Sequence, residues 1–181
     1  MEARLKLNKW VDTPSDPEFA EKLLSLIPEL KEHTCSKGYP GGFVERLEEG
    51  TYPAHIIEHI ALAIQEKVGP KVSFGKTRRE NNDIYKLVIE YEYKKIAEIS
   101  LEAGIYILNS LHKNELEQEK FDEYINNAKK LSREVRLGPS TKAILEAAKD
   151  RKIPYKRLHP EYSLFALGWG KHRKRIWGPI T

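Results

Sequence analysis

The stretch that opens at Thr51-Tyr-Pro-Ala-His55-Ile-Ile-Glu58-His59 and runs to Gly69-Pro70 leaves the chain little choice of architecture, because it reads as a largely apolar helix that the remaining residues must cover. Thr51 suits its N-cap, Pro53 falls in the first turn where a missing N–H costs nothing, and Gly69-Pro70 stops it. On a wheel of about 100° per residue, Ile56, Ile57, Ile60, Ala61, Ala63 and Ile64 form one arc. His55, Glu58 and His59 take the other side, where Leu62, one turn on, predicts partial cover. The two histidines are i and i+4, close enough to share one cation, and His-x-x-Glu-His is the inverted form of the zinc-protease motif. The plainer alternative is a hydrogen-bonded helix pair of His55 with Glu58.

A single cysteine, Cys35, excludes an internal disulfide and any cysteine-based zinc knuckle, so the expected ligands are histidine and carboxylate. At 181 residues the chain has room for one domain with a real core, or one domain plus a small appendage. No apolar run approaches the roughly 18 residues of a membrane span, and MEARLKLNKW lacks the apolar region of a signal peptide, which predicts a cytoplasmic protein with no membrane partner. The net charge of +4 is uneven, since residues 131–181 carry 12 Lys/Arg against 4 Asp/Glu and end in Lys171-His-Arg-Lys-Arg175. Such an end suits an anionic polymer or the gatekeeper charges of a strand edge, and the absence of any recognised motif or interleaved stacking aromatics disfavours nucleic acid.

In chain order, residues 4–10 alternate like a strand, Asp12–Pro17 is turn chemistry, and Phe19, Leu23, Leu24, Ile27 and Leu30 keep helical spacing from Pro17 to Leu30. A turn-rich segment follows with His33 and Cys35, each more often structural than functional when alone. Gly41-Gly42 there offers positive φ or a close approach. Phe43–Leu47 reads as a short helix. Lys71–Phe74 and Ile84–Tyr93 read as strands joined by the basic loop Gly75–Asp83, with Tyr85, Leu87, Ile89, Tyr91 and Tyr93 on one face. Helices are expected from Lys94 to about Leu111 and within Lys113–Arg136. After Leu137-Gly-Pro-Ser140 come one more helix, Thr141–Asp150, and three short strand-like pieces. The expected fold class is α+β, with helices on a small antiparallel sheet and a small C-terminal α/β segment.

His33-x-Cys35-Ser36, Gly41-Gly-Phe-x-Glu-Arg46, Glu49-Gly-Thr-Tyr52, His55-Ile-x-Glu-His59-Ile-Ala-Leu62, Phe74-Gly-x-Thr-Arg78, Glu90-Tyr91, Leu137-Gly-Pro-Ser-Thr141 and Leu167-Gly-x-Gly170 together resemble the amino-terminal region of the cyanophycin synthetases. The resemblance implies that residues 1–136 are the family's N-terminal domain and 137–181 the opening of an ATP-grasp domain. It also implies a parent enzyme, a homo-oligomer, that uses ATP and Mg²⁺ to polymerise aspartate and arginine and carries a further Mur-ligase-like domain. No G-x-x-x-x-G-K-[ST] is present, so no ATP-driven ligation is expected from this polypeptide alone.

Within that resemblance, His55 and His59 are expected to hold Zn²⁺, with Glu58 as the base that takes a proton from the attacking water. Glu90 is the preferred third ligand, being the carboxylate inside the matching part of the second strand; Glu92, Glu98 and Glu102 are alternatives. Lys76, Arg78 and Arg79 are candidates for the polymer's carboxylates, and Glu45 and Glu49 for its guanidinium groups. The expected activity is cleavage of cyanophycin chains to make primers. The alternative is a non-catalytic domain that binds the polymer and braces the synthetase's other domains.

Overall fold

Alternation of Ala3 and Leu5 with Glu2, Arg4 and Lys6 makes a first strand, β1 (Glu2–Lys6), whose apolar side faces a core. The computed structural model describes residues 1–7, 17–81, 84–135, 137–159 and 162–178. Residues 8–10 of the expected first strand and the turn at 12–16 lie outside the described residues. The chain divides into two units, Met1–Leu131 and Ser132–Thr181, and the fold is α+β.

In the first unit, α1 (Pro17–Leu26) stops short of the expected Leu30 because Pro28 cannot continue it, and a 3-10 turn, Pro28–Glu32, follows. A second 3-10 turn, Cys35–Lys37, leads into α2 (Gly42–Glu49). The central helix α3 (Pro53–Val68) starts one residue later than a Thr51 N-cap implies, with Tyr52 in that position, and ends as predicted with Gly69 as C-cap. Its cover is more complete than the wheel implies. Every residue from Pro53 to Gln65 is buried except His55, which is half-buried.

The principal packing partner of α3 is α4 (Lys94–Lys113), which contributes Ala97, Leu101, Ala103, Ile107 and Leu108 to a core shared with Phe43, Ile56, Ile57, Ile60 and Ile64. Asn114, in the left-handed conformation, ends α4 before α5 (Gln118–Val135), whose Phe121, Ile125 and Ala128 close the same core. The strands β2 (Gly75–Arg79) and β3 (Ile84–Ile89) pack on α3 and form with β1 an antiparallel sheet in the order β1-β3-β2. Tyr85, Leu87 and Ile89 are buried as the alternation predicts, but the strand ends at Ile89, short of Tyr91 and Tyr93. The residues expected to form a basic loop are β2 itself, so Lys76, Arg78 and Arg79 stand on a strand.

In the second unit, α6 (Pro139–Asp150) buries Leu145 and Ala148. The antiparallel meander β4 (Tyr155–Arg157), β5 (Leu164–Leu167) and β6 (Lys174–Trp177) buries Phe165 and Ala166. Lys174 and Arg175 are exposed on β6, an edge strand, where charge discourages pairing with another chain.

Candidate functional site

The site is built where the segment before α2 folds back on α3. Gly41, at φ 87, turns the backbone, and Gly42 sits so close to Thr34 that a Cβ there would lie 2.3 Å from its carbonyl oxygen. Both uses of glycine predicted for this pair are realised. Phe43 N–H then donates to the His33 carbonyl at 3.1 Å. Between these anchors Cys35 adopts φ 52, a left-handed conformation that costs a non-glycine residue on the order of 1 kcal/mol and collects at functional sites.

That conformation accompanies a close approach of Cys35 to α3. Cys35 Sγ lies 3.3 Å from His55 Nε2, which lies 3.1 Å from His59 Nε2. Among the described residues, Cys35, His55 and His59 are the group of His, Cys, Asp or Glu ligand atoms that gathers within 4.8 Å. Metal–ligand bonds of ~2.0–2.3 Å at tetrahedral angles separate neighbouring donors by about 3.3–3.6 Å, so His55 Nε2 stands near zinc-sphere spacing from each of the other two donors, with all three within 4.8 Å. The other ring nitrogens are engaged elsewhere: His55 Nδ1 is 2.7 Å from Thr51 Oγ1, and His59 Nδ1 is 2.8 Å from His33 Nδ1. Thr51 therefore serves His55, and Tyr52 takes the N-cap position expected for Thr51.

Phe43, fully buried, stacks on His59 with ring centres 4.1 Å apart and meets His55 edge-on at 5.9 Å. Burial, then the charge of Arg46, pushes the His55 pKa down to about 4. Burial, then His55 and His33, pushes His59 down to about 2. Both imidazoles are consequently neutral at pH 7, the form that ligates a metal. Two imidazoles and a thiol are a donor set suited to Zn²⁺.

Glu58 is buried, and desolvation pushes its pKa up to about 7 against the opposing effect of Thr77. Its Oε2 is 2.5 Å from Thr77 Oγ1, which is also 3.4 Å from the Ala54 carbonyl. An ionised Glu58 accepts the Thr77 hydroxyl proton, whereas a protonated Glu58 donates to Thr77, whose own proton then turns to Ala54. The pair thus accommodates both protonation states. Gly75 makes the room, since a Cβ there would lie 2.4 Å from Glu58 Oε1. Gly75→Ala is expected to push Glu58 off Thr77 and to cost about 1–3 kcal/mol in urea denaturation, as overpacking does; an unchanged midpoint would count against this contact.

Glu90 has a different task from the one expected. Its Oε2 accepts the backbone N–H groups of Ser73 and Phe74 at 2.9 and 3.0 Å, pinning the approach to β2, and it is not in the Cys35–His55–His59 group. A lone cysteine was discounted as a ligand because knuckles need several, yet one thiol is enough to complete a mixed set. Glu45 and Glu49 do not form an open acidic pair: both bind Lys37 Nζ, at 3.0 and 2.5 Å, with Tyr39 donating to Glu45 and Arg46 to Glu49.

The family profile for the cyanophycin synthase-like N-terminal domain matches residues 2–113. The chain belongs to this family. It is 39% identical to the cyanophycin synthetase of Trichormus variabilis over 187 residues, covering 98% of this chain and 20% of that protein. It is 37% identical to those of Geminocystis herdmanii, over 190 residues covering 100% and 21%, and of Synechocystis sp., over 182 residues covering 98% and 21%. The chain thus spans about a fifth of the length of these curated relatives. No helix among the described residues is long and apolar enough to cross a membrane.

In this cyanophycin synthase-like domain the basic residues of β2 divide. Thr77 faces α3, so Lys76 and Arg78, its neighbours in the alternation, stand on the opposite, exposed face, while Arg79 Nε donates to the Asn81 carbonyl. Register places Arg4, Lys86 and Arg78 in one row across the three strands. Glu80 offsets Arg4 at 3.0 Å and Glu2 offsets Lys86 at 2.9 Å. Like charges in a cross-strand row are unfavourable, and among the described residues Arg78 and Lys76 make no ion pair.

Proposed function

We propose that this chain is the amino-terminal part of a cyanophycin synthetase and carries a zinc-dependent hydrolase site that cleaves cyanophycin chains into primers. The observation that carries the reading is the convergence of Cys35 Sγ, His55 Nε2 and His59 Nε2 beside a helix that also presents Glu58 near its titration point. Cys35, His55 and His59 would hold the ion. Zinc there would supply Lewis-acid activation of water and of an amide carbonyl. Glu58, whose pKa burial pushes up to about 7, would take up a proton from the attacking water and return it to the leaving amine, with Thr77 following by reorienting its hydroxyl. Phe43 shields the two imidazoles from water, and Lys76 and Arg78 offer cations to polymer carboxylates.

The relatives' printed name supports the substrate class, and by resemblance residues 137–181 open an ATP-grasp part whose ATP and Mg²⁺ chemistry, oligomerisation and further domains belong to the parent enzyme. Incubation with cyanophycin and zinc is expected to shorten the polymer, and Glu58→Gln to abolish shortening while zinc stays bound. No cleavage, or cleavage unchanged in Glu58→Gln, ends the hydrolase reading. The exposed cations Lys76 and Arg78 on β2 favour a second reading, a polymer-binding and scaffolding domain, which predicts polymer affinity without zinc and unaffected by His59→Gln.

A further inference from the structure

His33 and Glu66 lie behind the cluster. His33 Nδ1 is 2.8 Å from His59 Nδ1, and on the far side of the same ring His33 Nε2 is 3.6 Å from Glu66 Oε2, within ion-pair range but beyond a hydrogen bond. His33 Nε2 is buried and makes no hydrogen bond among the described residues. Glu66 belongs to α3, two turns beyond His59 on the same stripe. Glu29 is the carboxylate whose charge raises the His33 pKa against burial, and Lys67 holds it at 2.5 Å; Glu66 is the carboxylate that stands directly against His33 Nε2.

A single proton lies between His33 Nδ1 and His59 Nδ1, and it has two arrangements. When His59 carries it, the His59 Nε2 lone pair faces His55 and Cys35, and His33 holds its own proton on Nε2, pointing at Glu66. When His33 carries it, His59 places a proton on Nε2, inside the donor cluster, and His33 turns a bare lone pair toward a carboxylate. The second arrangement sets negative charge against a lone pair and fills the metal position with a proton.

We infer that His33 and Glu66 are positioning residues: the Glu66 carboxylate selects the His33 tautomer, which selects the His59 tautomer whose Nε2 is free to ligate. This chain of carboxylate, histidine, histidine and metal position deepens the zinc reading proposed above and rests on it for its consequence, although the tautomer itself is set without metal. It extends to two histidines the general habit of metal-ligating imidazoles to hand their second N–H to an oriented acceptor.

The test is nitrogen NMR of the imidazoles in the chelator-treated full chain, together with zinc titration. In the parent chain His59 is expected to be protonated at Nδ1 and His33 at Nε2. Glu66→Gln, at a residue on the surface side of α3, presents either an acceptor or a donor to His33. It is expected to give mixed tautomers at both histidines and zinc affinity 10–100-fold weaker, with an unchanged thermal midpoint. Tautomers unchanged in Glu66→Gln, or a parent His59 protonated at Nε2, overturn the inference. A parent chain that shows the expected tautomers yet takes up no zinc overturns the hydrolase reading and leaves the tautomer chain standing, so the two failures are distinct.

Discussion

Cys35→Asn is expected to lose zinc while folding at least as stably as the parent chain. Cys35 sits at φ 52, a conformation asparagine adopts more readily than most residues, so the change relieves backbone strain. Its Sγ is one of the three atoms that converge at the site, and it approaches His55 Nε2 to 3.3 Å. Stability and metal affinity should therefore move in opposite directions. Affinity is expected to fall by more than the 10–100-fold typical of residues that only orient a ligand. Zinc titration and urea denaturation of the same preparation check both halves. Retained zinc in Cys35→Asn would remove the thiol from the site and reopen the search for a third donor.

The second large effect is the pH dependence of the metal-free chain. Buried His55 and His59 have pKa values of about 4 and about 2, below the ordinary value of 6.5, so below pH 6.5 the unfolded chain binds more protons than the folded one. The stability these residues contribute is present above pH 6.5 and is lost as pH falls towards the folded values, by about 3 kcal/mol for His55 alone. Glu58 acts with the opposite sign. Its folded value, about 7, lies above the ordinary 4.5, so its contribution is present below pH 4.5 and is lost as pH rises through 7.

His33, lowered by burial, acts with the two histidines, and Glu66, raised by burial, acts with Glu58; for His55, His59 and Glu58 the acid loss wins, leaving a maximum near pH 7 and a fall of about 2 kcal/mol by pH 5. Glu58→Gln removes the compensating group. It should raise stability at pH 8 and steepen the fall from pH 7 to 5 to about 4 kcal/mol, measured by urea denaturation with chelator present. A flat profile in the parent chain, or one unaltered by Glu58→Gln, would contradict the burial of these groups as neutral species.

The parts legible in the sequence are those governed by local rules. Pro53 and Gly69 bound α3 because each restricts or frees its own backbone, and the period-2 pattern at Tyr85, Leu87 and Ile89 fixes the buried face of β3. The strand β2 was hidden because Gly-Lys-Thr-Arg-Arg has no apolar alternation; its inward positions answer to Glu58 through Gly75 and Thr77 rather than to a hydrophobic core. Thr51 carried an N-cap signal, but its hydroxyl serves a histidine one turn on.

The site shows the same division. His55 and His59 follow from helical spacing, whereas Cys35 reaches them only through tertiary folding and a left-handed backbone that no periodicity announces. Glu90 matched the charge expected of a ligand, but two backbone amides sixteen and seventeen residues away occupy it. His33-x-Cys35-Ser36 among the quoted motifs was the available signal, since it brings both missed side chains into the segment that closes on α3.

The donors of the cluster come from two places, a 3-10 turn at Cys35 and a helix bearing His55, twenty residues apart in the chain. On the proposed zinc reading, an ion gripped by both would act as a removable staple across that interval, and its occupancy would set how tightly the Cys35 turn is held to the helix beneath. At an ion concentration one hundred times the dissociation constant the staple adds about 2.7 kcal/mol to folding. Loss of such an ion would loosen the chain at the Cys35 turn first, so protease cleavage there would report metal occupancy.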